Sequence, residues 1–467
     1  DRQPVFESEC QLMAAPAIVM TEMFDKTCRT LVAGLGETGL SVARFLSRQG
    51  VPVAIVDSRE QPPGLERLRT ELPEDVALFL GEFNTGAFER AEQIVISPGV
   101  SMQEPQIAAA VARQVPVIGD IELFAQTATA PVIAVTGSNG KSTVVTLLGA
   151  MARHAGLDVR VGGNIGTPAL DLIKDEEPDL YVLELSSFQL ETVYSLRPRA
   201  AVVLNVSADH MDRYHDLQAY AAAKQSIFRQ AALQVYNLDD PVVAALVDRA
   251  CPHAGFTQRP PAANDYGLIE IDAATWLARG DTRIMPASSI CMSGQHNLTN
   301  ALAALALGEA AGIPLQKMIE TLAEFQGLPH RMQYVAEQGG VRWFNDSKGT
   351  NVGATLAAIE SFDEKLVLIA GGDGKGADFT PLAAAMQRKV RGAVLLGKDA
   401  ALLESVLQDV VPVRHATDMT QAVRLAAEMS RPGDCVLLSP ACASTDMYRN
   451  FEARGDAYVQ AVQEYLS

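Results

Sequence analysis

Short apolar runs alternate along this chain with longer stretches whose apolar residues recur at three- and four-residue spacing. Such alternation of strand-like and helix-like segments predicts α/β architecture with parallel sheets. Three blocks separate. The first, residues 1–119, carries strand-like runs at 30–33, 51–56, 93–96 and 115–118. The second, residues 120–328, carries runs at 131–135, 180–185 and 200–205 and a helix-like pattern at 220–230. The third, residues 329–467, follows the turn-rich Gln326-Gly-Leu-Pro-His330 and repeats the pattern at 341–345, 365–370, 392–396 and 434–438. Each block is expected to fold around its own mostly parallel sheet with flanking helices. A prior of roughly 150 residues per domain gives the same number, about three.

Composition narrows the class. Apolar residues make up 48% and charged residues 20% of the chain, which supplies several cores and excludes a disordered or fibrous protein. The net charge of −18 repels a polyphosphate backbone, so nucleic acid is not expected as a partner. A small anion remains compatible, because glycine loops and helix N-termini bind phosphate locally. No apolar run reaches the ~18–20 residues that span a bilayer, so membrane insertion is not expected either. The six cysteines show no C-x-x-C spacing and read as buried thiols in a reducing compartment, which places the protein in the cytoplasm. Residues 1–22 fit no pattern; they are expected to be non-native or disordered, with Met20 or Met23 as the natural start.

Chemistry first shows at Gly34-Leu-Gly36-Glu-Thr-Gly39, between a strand-like run and a helix-like one at 40–48. The following strand ends in Asp57. This is the context of a dinucleotide fingerprint: a tight turn, close backbone approach and an acid for ribose hydroxyls. Alone, it points to a nucleotide-type ligand, NAD first, or to a tight turn without a ligand.

A second glycine loop is more specific. In Thr136-Gly137-Ser138-Asn139-Gly140-Lys141-Ser142-Thr143 a strand runs into a helix through a phosphate cradle. Backbone N–H groups and a helix N-terminus carrying about +0.5 charge face the anion. Lys141 is placed for the β/γ-phosphates of ATP, and Ser142 and Thr143 for Mg²⁺. Val135 stands where the full pattern has its first glycine. Glu184 closes the next strand and is placed to hold Mg²⁺ directly or through water. His210, just past the strand after that, is a further ligand candidate. Lys224 cannot ligate a cation as an ammonium, which has donors only; carbamylation would give it anionic oxygens.

Together these motifs resemble the Mur ligase family. The resemblance is carried by TGSNGKST (136–143), LELSSFQLE (183–191), DHMDRY (209–214), GQHNLTNALAA (294–304), GLPHRM (327–332), NDSKGTN (345–351), GGDGKGADF (371–379) and SPACASTDMYRNFEARG (439–455). It covers roughly residues 28–467, and the last three motifs resemble the members that add D-glutamate. The first several are shared with folylpolyglutamate synthases.

The resemblance implies a Rossmann-like N-terminal domain for a UDP-linked substrate, a central P-loop ATPase domain and a dinucleotide-fold-like C-terminal domain for the amino acid. It redirects the first glycine motif from NAD to uridine diphosphate, with Thr38, Asp57, Ser58, Arg59, Ser97 and Asn164 around it, and Ser186 among the substrate contacts. It implies that Glu184, His210 and carbamylated Lys224 hold Mg²⁺, and that Asn297, Asn300, Arg331 and Asp346 contact ATP. Lys348, Thr350, Lys375, Ser444 and Phe451 would surround D-glutamate and the reacting groups. Lys141, Glu184, His210, Lys224 and Lys348 form the expected catalytic set. Independently, Asn297 and Asn300 are three apart on a helical pattern and share a face, and Arg331 and Lys375 can offset the charge of a dicarboxylate.

The expected reaction joins UDP-N-acetylmuramoyl-L-alanine to D-glutamate through an acyl phosphate, carried out by a monomer with hinges near Asp120 and at 327–329. Other readings lack their signatures. The D-N-P-R motif of diaminopimelate-adding ligases is absent, as is the N-K-x-D segment of a guanine-reading switch protein. An NAD-dependent oxidoreductase leaves the phosphate loop, Glu184 and Lys375 without a role.

Overall fold

The computed structural model describes residues 29–72, 76–292 and 294–467; the expectation for residues 1–22 falls outside them. Three sheets carry the chain. In the first, five parallel strands run in the order Ala77–Leu80, Val53–Asp57, Thr30–Ala33, Gln93–Ile96, Val117–Gly119. Strand order reverses between Thr30–Ala33 and Gln93–Ile96, so their C-terminal loops, at Gly34 and Ser97, flank the crevice where open α/β sheets take ligands.

The second sheet has nine strands. Thr282–Pro286, Ala274–Arg279, Tyr266–Ile271, His253–Phe256, Gln234–Asn237 and Ala200–Val203 lead to Val132–Thr136, which neighbours Leu180–Glu184 and then Val159–Gly163. The central strands Val132–Thr136, Leu180–Glu184 and Ala200–Val203 are buried along their whole length. Covering both faces of a parallel strand demands such unbroken apolar runs, and each buried Val, Leu or Ile contributes about 1.5–3 kcal/mol. The helices Lys141–His154 and Gln295–Ala311 pack together on one face through Val144, Leu148 and Met151 against Leu302 and Leu305. This places the phosphate loop and Asn297/Asn300 side by side.

The third sheet runs Gln333–Gln338, Val341–Asn345, Cys435–Leu438, Leu366–Gly371, Val390–Leu396, Val413–His415. Its switch point lies at the C-terminal ends of Val341–Asn345, Cys435–Leu438 and Leu366–Gly371, which lead into the motif loops at 345, 439 and 371.

The architecture departs from the expected pattern in detail. Tyr266–Ile271, Ala274–Arg279 and Thr282–Pro286 pair antiparallel, as do Gln333–Gln338 and Val341–Asn345. The strands at 266–286 and Gln333–Gln338 are only partly buried, so polar residues interrupt the apolar run that marks a buried strand. The helix expected over 220–230 spans Leu217–Gln225, capped by the Asp216 carboxylate, and tightens into a 3₁₀ turn at Ser226–Phe228. Cys435 and Cys442 are buried free thiols as expected, whereas Cys291 is exposed and Cys251 is joined in a disulfide. Among the described residues no helix is long and apolar enough to cross a membrane.

Candidate active site

The phosphate loop is held open by backbone geometry. Gly140 sits at φ +82°, and a Cβ there would lie 2.5 Å from Asn300 Oδ1. Asn205 grips the loop from the next strand: its Oδ1 accepts from Asn139 N (2.8 Å) and its Nδ2 donates to Asn139 O (3.1 Å). Ser138 exchanges hydrogen bonds with Ser207, both at 3.0 Å. Lys141 Nζ donates to the carbonyls of Gly137 (2.8 Å) and Ser138 (3.0 Å). Lys224, 1% exposed, donates to the same Gly137 carbonyl at 3.0 Å, with Nζ 4.4 Å from the Tyr220 ring centroid. Burial, and then repulsion from Lys141, holds Lys224 well below the ordinary lysine range; burial also lowers Lys141.

Glu184 ends its strand fully buried. Its Oε1 accepts from Asn164 Nδ2 at 2.8 Å, while Oε2 is buried with no partner among the described residues. A carboxylate oxygen deprived of water and donor is costly, and a cation is the ligand that completes it. Burial holds the His210 imidazole below its ordinary pKa and therefore in the neutral, ligand-competent form. Its ring lies edge-on to Phe188 at 4.8 Å. Among the described residues no three His, Cys, Asp or Glu side chains form a ready-made metal cluster. Glu184, His210 and the buried hydroxyls of Ser142 and Thr143 instead fit a hard cation that fills its shell with phosphate oxygens and water, as Mg²⁺ does.

A cavity of about 520 Å³ opens between the phosphate loop and the C-terminal block, lined by Gly140, Thr143, Asn297, Asn300, Arg331, Asp346 and Lys348 among others. Asn300 Nδ2 donates to Asn297 Oδ1 (3.1 Å), so the two amides form one unit on their shared face. Arg331 reaches across to donate to Ser142 Oγ at 2.7 Å. Burial pushes the Asp346 carboxyl up to about 7; it accepts from Ser439 Oγ (2.7 Å) and Met332 N (3.3 Å). Burial, followed by the charges of Arg331 and Lys141, lowers Lys348 to about 8, and its Nζ stands 3.9 Å from the Phe451 ring centroid. Thr350 N bonds Lys348 O at 2.7 Å, Ser444 is buried, and Lys375, at φ +52°, brings Nζ to 3.9 Å from Asp209 Oδ1.

At the first crevice, Asp57 accepts from Leu35 N (2.7 Å) and pairs with Arg59 through two side-chain bonds of 2.8 and 2.7 Å. Burial raises its pKa, but the bonds to Arg59 and Leu35 outweigh this and leave it lowered. Ser97 Oγ donates to Gly34 O at 2.8 Å. Thr38 is half-buried in the helix Glu37–Arg48 and Ser58 is exposed. Ser186 caps the short helix Ser187–Leu190 in a reciprocal box with Gln189.

Some residues of the site escaped sequence reasoning. Arg213 donates to Pro98 O (2.9 Å) and Glu191 Oε2 (2.6 Å) with its guanidinium 4.2 Å from the Phe188 ring centroid. It thereby joins the Ser97 loop to the central domain. Asn351 Nδ2 bonds Asn139 Oδ1 and Asp209 Oδ2, both at 3.2 Å, tying the C-terminal block to the phosphate loop. Both lie in quoted motifs, DHMDRY and NDSKGTN, but nothing in the one-dimensional pattern marks their partners.

Comparison with known proteins bears on all three blocks. Residues 28–119 match the "Mur ligase MurD-like, N-terminal domain", 135–308 the "Mur ligase middle domain" and 330–442 the "Mur ligase, glutamate ligase domain". The chain is 56% identical over 440 residues to a UDP-N-acetylmuramoylalanine–D-glutamate ligase of Nitrosococcus oceani, covering 94% of this chain and 97% of that one. It is 50% identical to the enzyme of that name from Methylobacillus flagellatus (95% and 98% covered) and 49% to that from Pseudomonas aeruginosa (93% and 97%). Among solved structures, a pseudomurein peptide ligase type C from Methanothermus fervidus superposes with TM-score 0.58 at 17% identity (94% of this chain, 100% of that one). A UDP-N-acetylmuramate-alanine ligase from Thermotoga maritima also gives 0.58, at 19% identity and the same coverage. These two show a shared fold.

Proposed function

The chain belongs to the Mur ligase family, and within it we infer that it joins D-glutamate to UDP-N-acetylmuramoyl-L-alanine using ATP, a step of peptidoglycan precursor synthesis. The observation that carries the reading in this chain is the convergence of three cations where two domains meet: Arg331 and Lys348 line the cavity, and Lys141 stands on the phosphate loop that borders it. Each lies within the electrostatic reach of the others. Three cations from separate sequence motifs suit a site where a carboxylate meets a triphosphate.

In the first step a carboxylate oxygen of the alanyl group attacks the γ-phosphorus, the bond to the β,γ-bridging oxygen breaks, and ADP leaves an acyl phosphate. Two like charges 4 Å apart repel by about 4 kcal/mol at an effective dielectric constant near 20. Lys141 and Lys348 offset that repulsion, and positioning with electrostatics supplies most of the catalysis in phosphoryl transfer. Asn297, Asn300, Arg331 and Asp346 line the cavity for the nucleotide, with the phosphates at residues 137–143. Mg²⁺ would add positive charge on the phosphate oxygens, held by Glu184, His210, Ser142 and Thr143, with Lys224 joining once carbamylated.

In the second step the D-glutamate amine, having given up its ammonium proton, attacks the acyl carbon; the bond from that carbon to the phosphate-bearing oxygen breaks, phosphate departs, and the new amide nitrogen releases its extra proton to solvent. Lys375, Thr350, Ser444 and Phe451 surround the amino acid. The uridine diphosphate lies at the crevice of Gly34–Gly39, near Thr38, Asp57, Ser58, Arg59 and Ser97, while Asn164 and Ser186 face the substrate from the central domain. The reading takes the protein to work as a monomer in the cytoplasm. Borohydride trapping tests the order of steps. Incubation with ATP, Mg²⁺ and the UDP substrate without D-glutamate yields the alanyl alcohol if the acyl phosphate forms. No alcohol alongside normal turnover contradicts the mechanism.

A further inference from the structure

Arg454 sits in the first turn of the helix Phe451–Leu466 and is 3% exposed. All three of its hydrogen bonds go to neutral acceptors. Nε donates to Ser347 Oγ (3.1 Å), Nη2 to Ser347 O (2.8 Å) and Nη1 to Cys442 O (3.1 Å). Among the described residues no carboxylate lies within ion-pair distance of it; Asp446 and Asp346 act on it only through space. Burial lowers the guanidinium to about 10, which leaves it charged at neutral pH. A buried cation without a paired anion is unfavourable and is retained where its fork does something a neutral side chain cannot.

What the fork does is join two loops. Ser347 immediately precedes Lys348, and its hydroxyl donates to Phe451 O at 2.8 Å, closing a ring with the helix that carries Arg454. Lys348 stacks over Phe451. On the other side, Cys442 lies two residues before Ser444. The loops bridged by Arg454 are therefore those that carry Lys348 and Ser444, and its unneutralised charge stands behind them.

We infer that Arg454 is a positioning residue for the incoming dicarboxylate amino acid, holding Lys348 and Ser444 in register and adding positive potential to the pocket. This rests on the proposed function. The test is a comparison of Arg454→Lys, Arg454→Met and Ser347→Ala with the wild-type protein. KM for D-glutamate, ATP and the UDP substrate is measured, with kcat and the melting temperature. The expected result is a D-glutamate KM raised tenfold or more in Arg454→Met and three- to tenfold in Arg454→Lys and Ser347→Ala. KM for the other two substrates stays within twofold. A general structural role would instead raise all three KM values together, or lower only the melting temperature, and either result overturns the inference. If Arg454→Met does not fold, Ser347→Ala, which removes the acceptor for Arg454 Nε and the donor to Phe451 O but no charge, decides it. Wild-type protein that makes no product would defeat the ligase reading itself, a separable outcome.

Discussion

Lys141 and Lys224 donate to one acceptor, the carbonyl oxygen of Gly137, from 2.8 and 3.0 Å. Two lysine amines share that carbonyl, and burial together with repulsion from Lys141 disfavours the charged form of Lys224. Lys141→Ala is expected to lower kcat by about 10²–10³-fold, the magnitude typical of losing one preorganised charge donor. Steady-state phosphate release measures it. For Lys224, ¹³C-bicarbonate is expected to label one carbamate, seen by NMR and absent in Lys224→Ala. A fully active, unlabelled wild type contradicts the carbamate.

Gly140 combines a left-handed backbone with a contact that allows no side chain. Gly140→Ala should lose about 1–2 kcal/mol from backbone strain alone and displace Asn300. KM for ATP is expected to rise at least tenfold, while binding of the UDP substrate, measured by calorimetry, stays unchanged.

Among the described residues, Asp57 is the only side chain that accepts from Leu35 N, and it pairs with Arg59. Asp57→Ala leaves a buried N–H unpaired, at a cost of about 1–3 kcal/mol, visible in chemical denaturation. It should weaken the UDP substrate at least tenfold without altering KM for ATP.

Asp120 opens the helix Asp120–Thr127 and is buried; its Oδ2 accepts from Gln189 Nε2 at 2.9 Å and its Oδ1 has no side-chain partner among the described residues. Burial raises its pKa from 3.8 to about 6. The folded state thus binds the proton more tightly than the unfolded state. The stability this gives is full below pH ~4 and lost as pH rises through about 6. Asp120→Asn keeps the bond to Gln189 and never ionises. It should therefore be more stable than wild type at pH 7.5, by at most about 3 kcal/mol, and so melt higher there, and melt nearly equally at pH 4. A lower melting point at pH 7.5 contradicts this.

Legibility in the sequence followed the range of the interaction. The strands Thr30–Ala33, Gln93–Ile96 and Val341–Asn345 stand at the residues where apolar runs place them, because a strand covered by packing keeps most of its positions apolar. The phosphate loop is equally local: glycines, lysine and hydroxyls sit within eight residues. Contacts between motifs are not local. Arg213 meets Pro98 across 115 positions, Asn351 meets Asn139 across 212 and Arg454 meets Ser347 across 107. Each looks on its own like any exposed polar residue, and only the fold supplies its partner. The antiparallel strands of 266–286 were illegible because most of their side chains are exposed or only partly buried.

The central claim is tested most directly by phosphate release from ATP with Mg²⁺ and UDP-N-acetylmuramoyl-L-alanine, adding D-glutamate, L-glutamate, diaminopimelate or L-lysine in turn. The account predicts release with D-glutamate alone and a product heavier by one glutamyl residue. Release with another amino acid instead, or with none, would contradict it.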